Sequence, residues 1–278
     1  MTKTFDDQDA AHGVRDQGTL PFFLLTFALS WLVWVPMALT GVDHPVYKVG
    51  TFGPTVAALL LVWFGQGRAG LRAVGRRLTS WRVGLAWYGF AFLSTAFVAL
   101  AAIGLDLALG GPVPTFNDPR QLYLVVPAFL YVLLTSVVGE EIGWRGYALP
   151  RLQHQFSALG ASLLLGLIWG LWHLPLFWMA GNFHQHIPVS LFLLQTMGFS
   201  VLYTWMVHDT RGGLRMPHLF HAASNTALGV LPILPTATGG DTRPLWLGVG
   251  LLWLIVGGVV TVFGPSRLSR RAGSGGGA

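Results

Sequence analysis

Only two glutamates occur in this chain of 278 residues, Glu140 and Glu141, and they are neighbours. Both fall inside a long apolar run, near its far end. A carboxylate in such a setting costs a few kcal/mol unless it faces a polar cavity or a partner, and two side by side disfavour joint ionisation. Arg145 follows Glu141 by four residues, with the acid on the N-terminal side, which is the favoured orientation for a helical ion pair. Glu141 and Arg145 can therefore be a purely structural pair. Glu140 points about 100° away around the helix, and that pair does not account for it.

Three further groups sit in apolar surroundings. His173 lies in Trp169-Gly-Leu-Trp172-His173-Leu-Pro175, just before a proline. It is either hydrogen-bonded to a neighbouring helix or facing the carboxylates. His221 and Asn225 are four apart and share one helix face, with Ala222 and Ala223 beside them to allow close helix approach. They too can serve interhelical hydrogen bonding alone. His218, one turn before His221, is a supporting or interfacial group. His184 and His186 fall in a predicted external loop and read as surface groups, and His208 lies at a membrane edge with no role assigned.

Taken together, these side chains form a hydrolytic set. A carboxylate and an imidazole can share a water, one taking its proton and one later protonating a leaving amine. A second imidazole and an amide can donate to a developing oxyanion. The chain has no cysteine, so a thiol nucleophile, disulfides and thiolate metal sites are excluded. A zinc ion held by Glu140, His173 and His221 is the alternative use of the same groups, although the HExxH pattern of many metalloproteases is absent. The metal-free arrangement is preferred, with no cofactor required.

The elements that must position these groups are membrane spans. Hydrophobic residues make up 53% of the chain and charged residues only 10%, against about 25% charged in soluble domains, and the mean hydropathy is +0.58. These values exclude disorder, collagen, coiled coil and a soluble two-domain enzyme. The expectation is an all-α polytopic membrane protein of about eight transmembrane helices, at roughly 20–41, 50–65, 84–109, 122–144, 158–180, 188–208, 216–235 and 244–264. Residues 1–19 form a polar N-terminal tail with four Asp and none of the pattern of a cleavable signal peptide. Residues 20–264 form the membrane domain, with the chemistry in about 120–235, and 265–278 form a basic, then Gly-rich tail.

The basic balance (17 Lys and Arg against 11 Asp and Glu) reflects topology, not nucleic-acid binding. Lys48, Arg120 and Arg243 fall on one side of the predicted spans and the other fourteen fall on the opposite side. The positive-inside rule then makes both termini cytoplasmic. The stretch Arg68–Arg82 is a basic cytoplasmic loop placed to lie on anionic headgroups. One difficulty follows. His173 stands 15 residues into its span, about 22 Å deep, whereas Glu140 stands near a span end. Helix four is therefore expected to run past Arg145 towards Pro150, and helix five to begin nearer Ala161.

Glu140-Glu141-Ile-Gly-Trp-Arg145-Gly-Tyr147 resembles the EExxxR motif of the CAAX-protease and bacteriocin-processing family of intramembrane proteases, which includes the Ras-converting CAAX endopeptidase. Trp169…His173 is similar to that family's FxxxH motif with Trp for Phe, and His221…Asn225 matches its HxxxN motif. Each motif alone is weak, but three in order on successive spans are specific. The resemblance covers about 120–235. It implies an eight-helix endopeptidase working near the cytoplasmic membrane face, with water activated by Glu140 and His173 and an oxyanion site from His221 and Asn225. Glu141 and Arg145 would hold the first motif, and Trp169 would shape the pocket. The implied partners are a peptide or protein substrate, lipidated or not, and membrane lipids, with an integral-membrane location (the plasma membrane if the source is bacterial). A proton-coupled transporter and a non-catalytic immunity or scaffold protein of the same fold are the competing readings.

Overall fold

The structure is a computed structural model, and it describes residues 18–79, 82–114 and 123–270. The described residues are helical or irregular, with no strand. Eight rods build the bundle: α1 (Thr19–Thr40), α2 (Gly53–Leu78), α3 (Leu85–Ala108), α4 (Val125–Leu152), α5 (Ala158–Trp172), α6 (Val189–Asp209), α7 (Arg215–Val230) and α8 (Arg243–Phe263). Short 3₁₀ turns at Pro45–Phe52, Leu174–Trp178 and Phe183–His186 join some of them. Local sequence sets several ends. Gly41 closes α1 at φ +68°, a conformation that favours glycine. The Ser157 hydroxyl opens α5 by accepting from the Gly160 N–H at 3.1 Å, a typical N-cap.

Among the described residues, seven rods are long and apolar enough to cross a membrane. The expected seventh span, 216–235, is the exception. α7 has only 16 residues, about 24 Å, and is the polar rod that carries His218, His221 and Asn225. It still takes the chain from one end of the bundle to the other. Leu214, just before it, donates its N–H to the Arg77 carbonyl at 3.0 Å. Ile233, just after it, packs with Ala99 and Ala102 near the far end of α3. A short, polar rod is tolerated here because α3, α4 and α6 surround it and keep its polar groups away from lipid.

Helix four does extend beyond Arg145, as expected, and reaches Leu152. Helix five begins at Ala158, not nearer Ala161, so the lengthening of α4 brings the two levels together. α4 is irregular. Wider π turns at Leu133–Val137 and Ile142–Ala148 flank the short α segment that holds both glutamates, a feature frequent at functional sites. The neighbouring rod α2 and the 3₁₀ turn that leads into it pin α4. Thr51 and Thr55 donate their hydroxyls to the Thr135 and Val138 carbonyls at 2.9 and 2.8 Å, satisfying backbone groups that cannot be left bare in an apolar medium. Gly139 and Gly143 permit this approach, since a Cβ at either would lie 2.5 Å from the backbone oxygen of Thr51 or Pro54.

α2 changes direction at Gly67, where φ is +58° and ψ −148°. Beyond it, Arg68, Arg72 and Arg76 are exposed while Leu71, Val74 and Leu78 pack on the core. The basic stretch expected as a loop is therefore largely an amphipathic helix. Both ends of the described chain emerge at this end of the bundle. Ala158 N–H meets the Ser266 carbonyl at 3.0 Å, His208 Nδ1–H meets the Arg267 carbonyl at 2.6 Å, and Gly18 lies against the Tyr147 hydroxyl and the Arg151 side chain. The opposite end gathers residues 41–52, 109–114, 179–188 and 231–242, and Asp106 is paired there with Arg243.

Candidate active site

Glu140, Trp169, His173, His221 and Asn225 line one cavity of about 370 Å³, open at one end of the bundle. Three rods contribute them, α4, α5 and α7. Glu140 is 3% exposed, His173 9% and His221 3%, whereas Asn225 is exposed to the opening. Glu141 and Arg145 lie behind this wall, both fully buried. They form the expected i,i+4 ion pair at 3.0 Å. The Arg145 guanidinium is also stacked over the rings of Trp169 (4.5 Å) and Tyr203 (4.1 Å), so its charge is held by a carboxylate and two aromatic faces.

Hydrogen bonds set the proton positions. His173 Nδ1 lies 2.8 Å from the Trp169 carbonyl oxygen. A carbonyl only accepts, so Nδ1 carries the proton and neutral His173 turns a bare Nε2 away from it. Its partner is its own helix, not a neighbouring one. His221 Nδ1 lies 2.7 Å from Glu141 Oε1 and likewise donates. This is the interhelical bond expected of His221, and it ties α7 to α4. His218 donates from Nδ1 to the Leu214 carbonyl at 2.6 Å within α7 and does not line the cavity.

Two features escaped the sequence. The first is the indole of Trp169, expected only to shape the pocket. Its Nε1–H donates to Glu140 Oε2 at 2.7 Å, and its ring stands edge-on to both His173 (5.8 Å) and His221 (5.4 Å). The signal was the Trp at the position where the motif has Phe, since a phenyl ring has no donor. The second is His184, expected on the surface. It is 5% exposed, lines the cavity and stacks on His173 with centroids 5.6 Å apart. Asn182 turns it inward, its Oδ1 accepting from both the backbone N–H (3.2 Å) and Nδ1–H (2.7 Å) of His184. Burial, with the His173 imidazole beside it, holds the His184 ring well below the ordinary histidine range, so it is neutral. His186 is exposed as expected.

Glu140, His173 and His221 border the same space, yet among the described residues no three His, Asp or Glu side chains gather closely enough to hold a metal ion.

The architecture is that of a polytopic membrane protein with a polar cavity open at one end. Residues 122–227, which span all three motifs, match the family model described as Type II CAAX prenyl endopeptidase Rce1-like. The chain is 27% identical over 256 residues to CAAX prenyl protease 2 of Methanococcus maripaludis, covering 86% of this chain and 92% of that protein. It is also 25% identical over 211 residues to the MFS-type transporter GME11371 of Pestalotiopsis microspora, covering 76% of this chain but only 35% of that protein. The family resemblance drawn from the three motifs thus has independent support.

Proposed function

We propose that the chain is an intramembrane endopeptidase that uses a water molecule activated by Glu140 and His173. The observation that carries this reading is the convergence of Glu140, His173, His221 and Asn225, from three rods, on one open cavity. Water attacks the scissile carbonyl carbon and gives a proton to Glu140, with the bare Nε2 of His173 as the second acceptor. The oxyanion of the tetrahedral intermediate takes hydrogen bonds from the Asn225 amide and from His221. His221 already donates Nδ1–H to Glu141, so it can donate from Nε2 only as imidazolium. That state balances charge, because two carboxylates then face Arg145 and one imidazolium. Collapse breaks the C–N bond, and the proton taken from water passes to the leaving amine. The products are a carboxylic acid and an amine.

In this reading Trp169, Glu141 and Arg145 position the reacting groups without touching substrate. Cleavage of a peptide library by the purified protein, with and without a chelator, tests activity, preference and metal dependence together. Loss of all cleavage in Glu140→Ala, with membrane insertion intact, is the expected result. Full activity in that variant removes Glu140 from the mechanism. The partial match to a transporter favours one second reading, proton-coupled transport through the same polar cavity. Flux in proteoliposomes that survives Glu140→Ala, without peptide cleavage, would favour it.

A further inference from the structure

The structure makes two sequence expectations incompatible. Cytoplasmic termini and a site opening to the cytoplasm cannot both hold, because the cavity opens at the end opposite the termini. Its lining climbs α4 from Glu140 through Ser136 to Val132, away from Arg145 and Leu152. It climbs α7 in the same direction, from His221 through Asn225 to Leu228. The mouth is formed by Tyr47, Lys48, Phe183 and Thr236, from the loops at the poorly basic end. At the other end lie the exposed Arg68, Arg72 and Arg76 of the amphipathic part of α2, together with Arg151, Arg211 and Arg267.

We propose that the catalytic cavity faces the non-cytoplasmic side of the membrane, and that its substrates are extended juxtamembrane segments of anchored or exported polypeptides on that side. Two physical arguments set the orientation. Among the described Lys and Arg residues only Lys48 and Arg243 belong to the cavity end. Arg145 is buried in the bundle and drops out of the loop count, which leaves ten at the opposite end among the described residues. That asymmetry still places the other end in the cytoplasm. Independently, a helix with three exposed arginines on one side and leucines and valine on the other binds anionic headgroups, which are enriched in the cytoplasmic leaflet. The substrate class follows from access. A cavity of about 370 Å³ holds a few residues of an unfolded chain, not a folded domain, and the catalytic groups sit below its rim. The segment must therefore be extended, and it must reach the membrane from the outer side.

The substrate part of this proposal rests on the endopeptidase reading, whereas the orientation part does not. The absence of cysteine makes the test direct. Single variants Val42→Cys and Thr236→Cys mark the cavity end, and Arg72→Cys marks the basic end; all three positions are exposed. A membrane-impermeant maleimide is expected to label the first two in intact cells, and Arg72→Cys only after permeabilisation. Labelling of Arg72→Cys in intact cells, or of Thr236→Cys only after permeabilisation, overturns the orientation. In a second arm, a peptide cleaved by the purified protein is supplied to right-side-out and inverted vesicles. Cleavage in right-side-out vesicles at least tenfold faster is expected, and the reverse preference overturns the substrate class. Correct labelling with no cleavage by the purified protein refutes the endopeptidase reading and leaves the orientation standing.

Discussion

Replacing Trp169 by Phe removes one N–H group and keeps an aromatic ring between His173 and His221. The structure shows what that N–H does. It donates to Glu140 Oε2 at 2.7 Å in a buried setting, and the other aromatic contacts of Trp169 do not need it. A hydrogen bond to a charged group contributes about 1.5–3 kcal/mol. With roughly 1.4 kcal/mol per decade of rate, kcat should fall roughly 10- to 150-fold if the bond orients the general base. The smaller ring also leaves a void, which costs stability on the order of 1 kcal/mol. The two effects separate experimentally. Peptide cleavage by the purified variant gives kcat and KM, and thermal unfolding of the same sample gives the stability loss. A positioning role predicts a fall in kcat with KM nearly unchanged, whereas a pocket-shaping role predicts a change in KM. A kcat within twofold of the parent refutes the assignment, and would mean that Phe, as in the family motif, holds Glu140 equally well through packing.

Other outcomes follow from the same geometry. Glu140→Gln should lower kcat by roughly 100-fold or more, the usual worth of a general base, and a scissile-bond assay on folded protein checks it. Glu141→Ala strands the fully buried Arg145 and frees His221, so it should destabilise the protein by about 3–5 kcal/mol; thermal unfolding reads this, and the Glu141→Ala/Arg145→Met double variant should recover much of the loss. Gly143→Ala forces a Cβ to 2.5 Å from the Pro54 carbonyl, and the resulting separation of α2 and α4 should cost about 1–3 kcal/mol, read as a lowered unfolding temperature. His184 is held neutral by burial, so as pH falls below about 6.5 the unfolded chain binds a proton that the native state does not. Native stability should fall by up to about 1.4 kcal/mol per pH unit there, until the native ring titrates. His184→Gln should lessen that slope by the share of one proton, and an unchanged slope in unfolding measured from pH 7.5 to 5.5 refutes the assignment.

The sequence by itself determined the membrane class and singled out most of the residues that turn out to line the candidate cavity. Long apolar runs and scarce charge require the bilayer as solvent, because burial in one soluble core cannot absorb them. Two glutamates found nowhere else in the chain, with His173, His221 and Asn225 at motif spacing, marked the chemistry, because an ionisable group in such runs is too costly to be idle. Hydropathy found seven rods and read the eighth, α7, too long, because a polar rod shielded by its neighbours does not carry a lipid-facing signal.

Only the tertiary structure decided the rest. His184 enters the cavity because Asn182 folds a loop back on itself, and loop direction is set by particular side-chain bonds that no periodicity records. The donor from Trp169 to Glu140 depends on rotamers and on how closely α4 and α5 pack. Charge counting told which end of the bundle is basic, but not which end the cavity opens from. That depends on where the irregular turns of α4 and the shortness of α7 leave space between the rods, a property of packing that is not carried by any single segment.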